Sequence, residues 1–420
     1  MKTKIKTISY NDLIKKKRYK HFKPKNPSFL LSSLIKLLSK EELKKTNFSY
    51  TTKNMELVSK KEPCLFLMNH SCFLDLKIAF KIIKRRFNII STDDGFVGKK
   101  WLLRNIGCVP TMKFLVDPSL VKDMKYIVSR LHNSILLYPE ASYSFDGCAT
   151  PLPESIGKMI KVLGIPVVII KTEGAYLHDP LYNDLKLRNV DVKAHMECIL
   201  TKEDIFTMSA SEINSKINSW FTFDNFKYQY ENNVLIKEDF RSDNLNRVLY
   251  RCPYCNMEHM MEGKGITLKC KNCNTTLELL ENGRLKAINK DTKFSHIPDW
   301  YNWERQCVKE EIIKGIYHEE MDVDIYCLND LKAIYKVGKG YLTHDVNGFK
   351  LLGKDNPIEF YQSSNNSYSL YSDFYWYEIG DVVCIGDYRI RYYCVPTNKK
   401  DIVAKLRLAA EEIYKLTNKK

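Results

Sequence analysis

Between residue 46 and about residue 225, short apolar runs alternate with stretches in which apolar residues recur at helical spacing. Cys64–Met68, Asn88–Thr92, Ser134–Tyr138 and Pro166–Lys171 are brief and mostly apolar, as buried strands are. Asn189–Leu200 places Val190, Val192, Ala194, Met196 and Cys198 at every second position, the period of a strand with one buried face. Leu76–Arg85, Pro118–Leu131 and Ile156–Leu163 read as the helices between them. Strands alternating with helices predict an α/β fold, a mixed β-sheet flanked by helices.

The flanking regions have different patterns. Residues 26–45 predict a helix with Asn26 as N-cap and Pro27 as its first residue. Leu30, Leu31, Leu34, Ile35, Leu37 and Leu38 form a wide apolar face opposite Ser32, Ser33, Lys36, Ser39 and Lys40. Such a face either docks in a bilayer interface or packs on the next domain. Residues 250–288 are short, polar and punctuated by cysteines. From about 325 the chain is rich in Tyr, Val and Ile, with turn signals at Asn347-Gly348 and Gly386-Asp387, and it closes on a predicted helix, Asp401–Leu416. Several antiparallel strands followed by one helix give the outline of a pleckstrin-homology-like module. The expected organisation is therefore a basic amphipathic segment over 1–45 and an α/β domain over 46–245. A small cysteine-bearing module over 246–289 and a β-rich domain over 290–420 complete it.

Charge is placed unevenly. Of the formal net charge of +16, much falls in residues 1–45, where fourteen Lys and Arg face only Asp12, Glu41 and Glu42. A basic head of this kind fits an anionic partner, lipid headgroups or nucleic acid, unless it is a solvated tail. Thirteen cysteines, an odd number and several inside apolar runs, fit a reducing cytosol better than a secreted disulfide framework. No apolar stretch is long enough to span a bilayer, so work on lipid implies peripheral association with the inner face of the membrane.

The chemistry centres on Asn69-His70-Ser71-Cys72-Phe73-Leu74-Asp75. His70 comes after an apolar strand and Asp75 opens the helix after it. A turn between them can fold the carboxylate back onto the imidazole. Histidine is the natural general base for a hydroxyl near neutral pH, and a neighbouring carboxylate fixes its tautomer and stabilises the imidazolium. The activated hydroxyl would belong to a second substrate, giving one direct acyl transfer. Taken alone, the spacing of a His and an Asp five apart is weak.

Three further blocks, in order along the chain, give it weight. His70 and Asp75 are succeeded by Lys99-Lys100-Trp101-Leu102 and a block from Gly107 to Lys113, then by Tyr138-Pro139-Glu140-Ala141-Ser142-Tyr143-Ser144, then by Ile165-Pro166-Val167-Val168-Ile169. This series resembles the glycerolipid acyltransferase family that includes lysophosphatidate acyltransferase. Its blocks are H-x-x-x-x-D, a lysine-containing block ending in Arg, F-P-E-G-T-R-S and V-P-V-V-P. The resemblance implies His70 and Asp75 as catalytic residues and Asn69, Lys100, Lys113, Glu140, Ser142 and Tyr143 as substrate-binding ones. It also implies an acyl thioester donor, acyl-coenzyme A or acyl-carrier protein, and a lysolipid acceptor. The chain departs from the pattern where Lys113 stands for Arg, Tyr143 for Arg and Ile169 for the second Pro. In the family those arginines are associated with the acceptor's phosphate. Arg offers phosphate a planar fork, Lys a point charge and Tyr a single neutral donor, so the departures imply an altered acceptor pocket. Glu140 is expected either to order the loop and meet the acceptor's hydroxyls or to cap nearby amides.

Cys252-Pro253-Tyr254-Cys255 and Cys270-Lys271-Asn272-Cys273 form two C-x-x-C pairs fourteen residues apart, a spacing close to that of a zinc ribbon. Four thiolates predict a closed, structural Zn²⁺ site, with a redox pair as the competing reading and His259 as a possible substitute ligand. The functional expectation is an acyltransferase. Its competitors are a catalytically inactive lipid-binding scaffold and a zinc-ribbon nucleic-acid-binding protein. The second is disfavoured because residues 250–288 carry no dense basic face.

Overall fold

The computed structural model describes residues 3–114, 117–399 and 401–418. The chain divides into two units. One holds Lys20–Asp179 and Leu187–Asn225; the other holds the N-terminal residues through Tyr19, Pro180–Lys186 and the chain from Phe226 onward. The basic segment expected as one piece over 1–45 is thus split between them. Its first strand, β1 (Ile5–Thr7), joins the second unit.

The first unit is built on seven strands: β2 (Ser49–Lys53), β3 (Leu65–Met68), β4 (Phe87–Thr92), β5 (Cys108–Thr111), β6 (Ser134–Leu137), β7 (Val167–Glu173) and β8 (Lys193–Leu200). Their order is β2-β8-β7-β3-β6-β4-β5, with every pairing parallel except the antiparallel β7–β8. This is the mixed sheet expected. β3 lies in its middle and all four of its residues are buried, which explains an unbroken apolar run. On one side the core collects Leu65, Leu67, Ile135, Val167 and Ile169 from the strands with Ile156, Ile160, Ile213 and Ile217 from helices. β2 was invisible in the pattern because its sequence, Ser-Tyr-Thr-Thr-Lys, is exposed throughout and pairs only as an edge.

Several helix boundaries differ from expectation; the helix expected over Leu76–Arg85, for one, runs Leu74–Ile82. The N-terminal helix runs Phe29–Lys45, and its N-cap is Ser28, whose hydroxyl accepts from Leu31 N–H at 3.4 Å. Asn26, the expected cap, instead accepts from the Asn133 side chain at 2.9 Å. The segment expected as one helix over 118–131 is α-helical only over Pro118–Tyr126 and widens into a π turn over Ile127–Leu131. His132, at φ 53°, then ends it in the left-handed region.

The second unit contains a four-stranded antiparallel sheet, β9 (Met261–Lys264), β10 (Thr267–Cys270), β11 (Thr276–Leu279) and β12 (Leu285–Ala287), in the order β12-β11-β10-β9. A helix, Ile297–Ile313, leads to seven further strands. These are β13 (His318–Leu328), β14 (Ile334–Asp345), β15 (Gly348–Gly353), β16 (Glu359–Ser363), β17 (Tyr371–Trp376), β18 (Gly380–Gly386) and β19 (Arg391–Pro396). Their order is β16-β15-β14-β13-β19-β18-β17, so two antiparallel meanders join where the first strand pairs with the last. β1 adds to β14 in parallel. The closing helix spans Val403–Thr417 and is mostly buried. Its charged residues are paired: Arg305 reaches Glu411 and Glu412 at 2.7 and 3.1 Å, and Lys405 reaches Glu258 and Glu319 at 2.7 Å each. Burial of these charges is tolerable because each has its partner.

Candidate active site

β3 ends at Met68, and the chain turns through Asn69–Phe73 into the helix Leu74–Ile82. The turn is anchored first by Asn69, 1% exposed. Its Oδ1 accepts from Thr172 N–H at 2.8 Å and Thr172 Oγ1–H at 3.1 Å, tying the end of β3 to β7. Its amide donates to Ser71 Oγ at 3.1 Å and the Thr172 carbonyl at 3.3 Å. All of its polar atoms are thereby committed, so Asn69 is a clamp on the turn.

Asp75, in the first turn of the helix, points back along the chain. Its Oδ2 lies 3.1 Å from His70 Nδ1 and accepts from Ser71 N–H at 2.7 Å and Cys72 N–H at 3.1 Å. The carboxylate is wholly buried, and these donors stabilise its charge. A carboxylate at Nδ1 assigns the proton to that nitrogen and leaves Nε2 as the acceptor. Burial holds the His70 imidazole below its ordinary range, Asp75 opposes the shift, and Lys113 adds to it. The imidazole is therefore neutral at physiological pH.

The ring of His70 lies between two tyrosines. Tyr138, just past β6, stacks on it with centroids 4.3 Å apart, and Tyr143 lies against it at 4.1 Å. Tyr143 also meets Phe73 edge-on at 6.1 Å. Among the described residues the buried Tyr138 hydroxyl has no hydrogen-bond partner, and burial holds its pKa well above the ordinary value. Neither tyrosine pairing was legible in the spacing, because the two segments meet only through the order of strands β3 and β6.

Glu140, 1% exposed, accepts from His70 N–H through Oε2 at 3.1 Å and from Thr150 N–H and Oγ1–H through Oε1 at 2.9 and 3.2 Å. It holds two loops together. Ser142, also 1% exposed, donates to the Tyr143 carbonyl at 3.3 Å. Lys113 comes just after β5 and is close enough to act on His70 electrostatically. The Lys100 ammonium lies 4.9 Å from the ring centroid of Phe22. The structure thus brings His70, Asp75, Glu140, Tyr143 and Lys113 together, with Asn69 and Ser142 in support.

Several large apolar side chains of this unit are exposed. Phe73 is 58% exposed and Trp101 72%. On the helix Phe29–Lys45, Leu30, Leu34, Leu37 and Leu38 remain exposed, so most of the anticipated apolar face is not packed away. No helix among the described residues is long and apolar enough to cross a membrane.

In the second unit, the sulfurs of Cys252, Cys255, Cys270 and Cys273 all lie within 4.8 Å of one another, with Cys252–Cys273 and Cys255–Cys270 each at 3.7 Å. Sulfurs placed tetrahedrally about ~2.3 Å from one ion stand about 3.8 Å apart, so the donor set fits a metal. None of the thirteen cysteines is in a disulfide. His259 is not among the ligands: its Nδ1 lies 2.8 Å from Asp401 Oδ1.

Residues 49–171 match the family model of the acyltransferases. None of the curated proteins compared with the chain matches it. Among solved structures, the chain is similar to the 1-acyl-sn-glycerophosphate (LPA) acyltransferase PlsC from Thermotoga maritima. They share 15% identity with a TM-score of 0.36, over 45% of this chain and 76% of that one.

Proposed function

We propose that the acyltransferase domain of residues 49–171 transfers a fatty acyl group from an acyl thioester, coenzyme A or acyl-carrier protein, to the hydroxyl of a lysophospholipid-like acceptor. The observation that carries this reading is the His70–Asp75 pair at the turn after β3, inside the span that matches the family. His70 Nε2 takes the proton of the acceptor hydroxyl as its oxygen attacks the thioester carbonyl. Asp75 holds Nδ1–H and stabilises the imidazolium. As the tetrahedral intermediate collapses, the C–S bond breaks and the thiolate leaves, and the imidazolium returns the proton to it. The ester oxygen stays on the acceptor, and no covalent enzyme intermediate is needed. Thioesters are already activated, so positioning and one base are sufficient machinery.

Tyr143 bears on the acceptor. It supplies an aromatic face where a phosphate-binding arginine is expected, leaving Lys113 as the cation near His70. An acceptor whose headgroup is less dependent on a bidentate phosphate grip fits this pocket better than lysophosphatidate does. The exposed leucines of the helix Phe29–Lys45, interspersed with Lys36, Lys40, Lys44 and Lys45, fit peripheral docking on an anionic membrane surface. The four cysteines fit a structural zinc ion, a closed site with no open position for catalysis.

The test is acyl transfer by the purified chain, with labelled acyl-coenzyme A and acyl-carrier protein offered against a panel of lysolipid acceptors. Asp75→Asn should lower turnover on the order of 10⁴-fold, and His70→Ala should abolish it. If no acceptor is acylated, or His70→Ala turns over normally, the reading fails and an inactive lipid-binding scaffold takes its place.

A further inference from the structure

The residues leading into the helix Phe29–Lys45 form a strap laid on the first unit and fastened by buried asparagines. Asn133, 2% exposed, donates through Nδ2 to Asn26 Oδ1 at 2.9 Å and to Asn88 Oδ1 at 3.0 Å. Asn88, wholly buried on β4, donates in turn to the Lys25 and Gly107 carbonyls at 2.9 and 2.8 Å. Gly107 has φ 89°, and a Cβ there would stand 3.1 Å from both Asn88 Nδ2 and Pro27 Cβ, so glycine lets the strap lie this close. Buried amides that satisfy one another specify one arrangement of the backbones they join. The strap also ties two helices together. Ser28, the N-cap of Phe29–Lys45, donates its N–H to the Asn105 carbonyl at 2.7 Å, and Lys25 Nζ donates to Asn105 Oδ1 at 2.7 Å. Asn105 is the last residue of the short helix Lys100–Asn105. Phe22 packs on Phe96 with centroids 5.7 Å apart and lies under the cations of Lys100 and Arg104, at 4.9 and 4.5 Å.

Both helices leave large apolar side chains in solvent: Trp101 and Leu102 on the short one, Phe29 and Leu30 at the start of the long one. The same two stretches are basic throughout. Residues 20–40 and 95–113 together carry nine Lys and Arg and no Asp or Glu. An exposed indole among cations suits the headgroup level of an anionic bilayer, where the ring leaves water, its N–H keeps polar partners, and Lys and Arg meet negative charge. We propose that Trp101 is a second anchor of the acyltransferase unit in an anionic bilayer interface, joined to the helix Phe29–Lys45 and held in fixed relation to it by the Asn88–Asn133 pair. The proposal rests on the membrane docking of that helix and on no step of acyl transfer. A single helix lying in an interface is free to roll about its own axis. A second contact on the same rigid body removes that freedom, so the unit meets the membrane in one orientation.

The test uses the full chain and vesicles of phosphatidylcholine containing phosphatidylserine, with and without bromine on the lipid chains as a quencher of tryptophan fluorescence. Trp101→Ala should weaken sedimentation with the vesicles about tenfold and leave the melting temperature in solution unchanged, since the side chain is exposed. Trp101→Phe should keep most of the binding and lose the share of quenching that Trp101 contributes. Asn133→Ala should quicken hydrogen exchange over residues 22–28 and reduce the quenching of Trp101 more than it reduces sedimentation, because the long helix still docks while its companion is no longer held beside it. Asn26→Ala, at an exposed position where folding is safe, should move both readings in the same direction. If wild type binds, Trp101→Ala binds equally and Trp101 is not quenched, the proposal is overturned and the docking of Phe29–Lys45 stands. Wild type that ignores the vesicles overturns both. A wild-type dimer that Trp101→Ala dissolves, seen by sedimentation velocity, also overturns it, the surface then being a protein contact. Unchanged exchange and quenching in both asparagine variants would remove the fixed relation from the proposal.

Discussion

Tyr143 lies against His70 with ring centroids 4.1 Å apart and planes inclined by 30°. With Tyr138 on the other side, at 4.3 Å, both faces of the imidazole are covered. An acceptor must then approach along the ring edge, towards Nε2. Tyr143→Arg restores a phosphate fork at the cost of that cover. It should raise kcat/KM for phosphate-bearing lysolipids, relative to acceptors without a free phosphate, by about tenfold, the worth of one charge-assisted bond. Competition between the two acceptor types in a single reaction reads the ratio directly; an unchanged ratio would remove Tyr143 from acceptor selection.

Ala141, next after Glu140, has φ at 57°, in the left-handed region. The related pattern has glycine at this position. An L-residue with a Cβ pays roughly 1 kcal/mol to stay there. Ala141→Gly should therefore stabilise the first unit by up to about 1 kcal/mol, seen as a rise of roughly 2–4 °C in its melting temperature, with the site geometry unchanged. A fall would mean that Cβ makes a packing contact worth more than the strain.

Metal removal should act on the second unit alone. Purified, reduced protein should carry about one zinc per chain. A strong chelator should lower the melting temperature of the unit containing Cys252 and Cys273, since metal binding supplies much of the folding energy of so small a sheet. Metal analysis far below one equivalent, or a chelator-insensitive melt, would count against the site.

The exposed leucines make a separate prediction. Leu34→Glu with Leu38→Glu should weaken binding to anionic vesicles by roughly tenfold per residue, as burial of each side chain is lost. Sedimentation with vesicles of phosphatidylcholine containing phosphatidylserine measures it, and raised salt should weaken the wild type further. Equal partitioning of variant and wild type would refute the docking face.

Sequence pattern carried the middle of the first sheet and little of its margin. β3 and the run Val167–Ile170 of β7 are buried on both faces, so these stretches are apolar without interruption and legible. β2 and β1 are exposed along their length, and nothing in Ser49–Lys53 or Ile5–Thr7 separates them from loop. At the site the same division holds. Asp75 lies five residues from its histidine, near enough for local geometry to be inferred. Glu140 was found through its motif, though its grip on the His70 amide depends on the neighbouring strands β3 and β6.

The pairing of Ile5 with Ile334 imposes an order in time. At ~5–20 residues per second a ribosome takes roughly a quarter of a minute to a minute between making the two. Every strand from β2 to β8 emerges within that interval, so the acyltransferase sheet can close while the first residues of the chain still wait for their partner. β1 is made well before β14 and is among the last strands that can find its place.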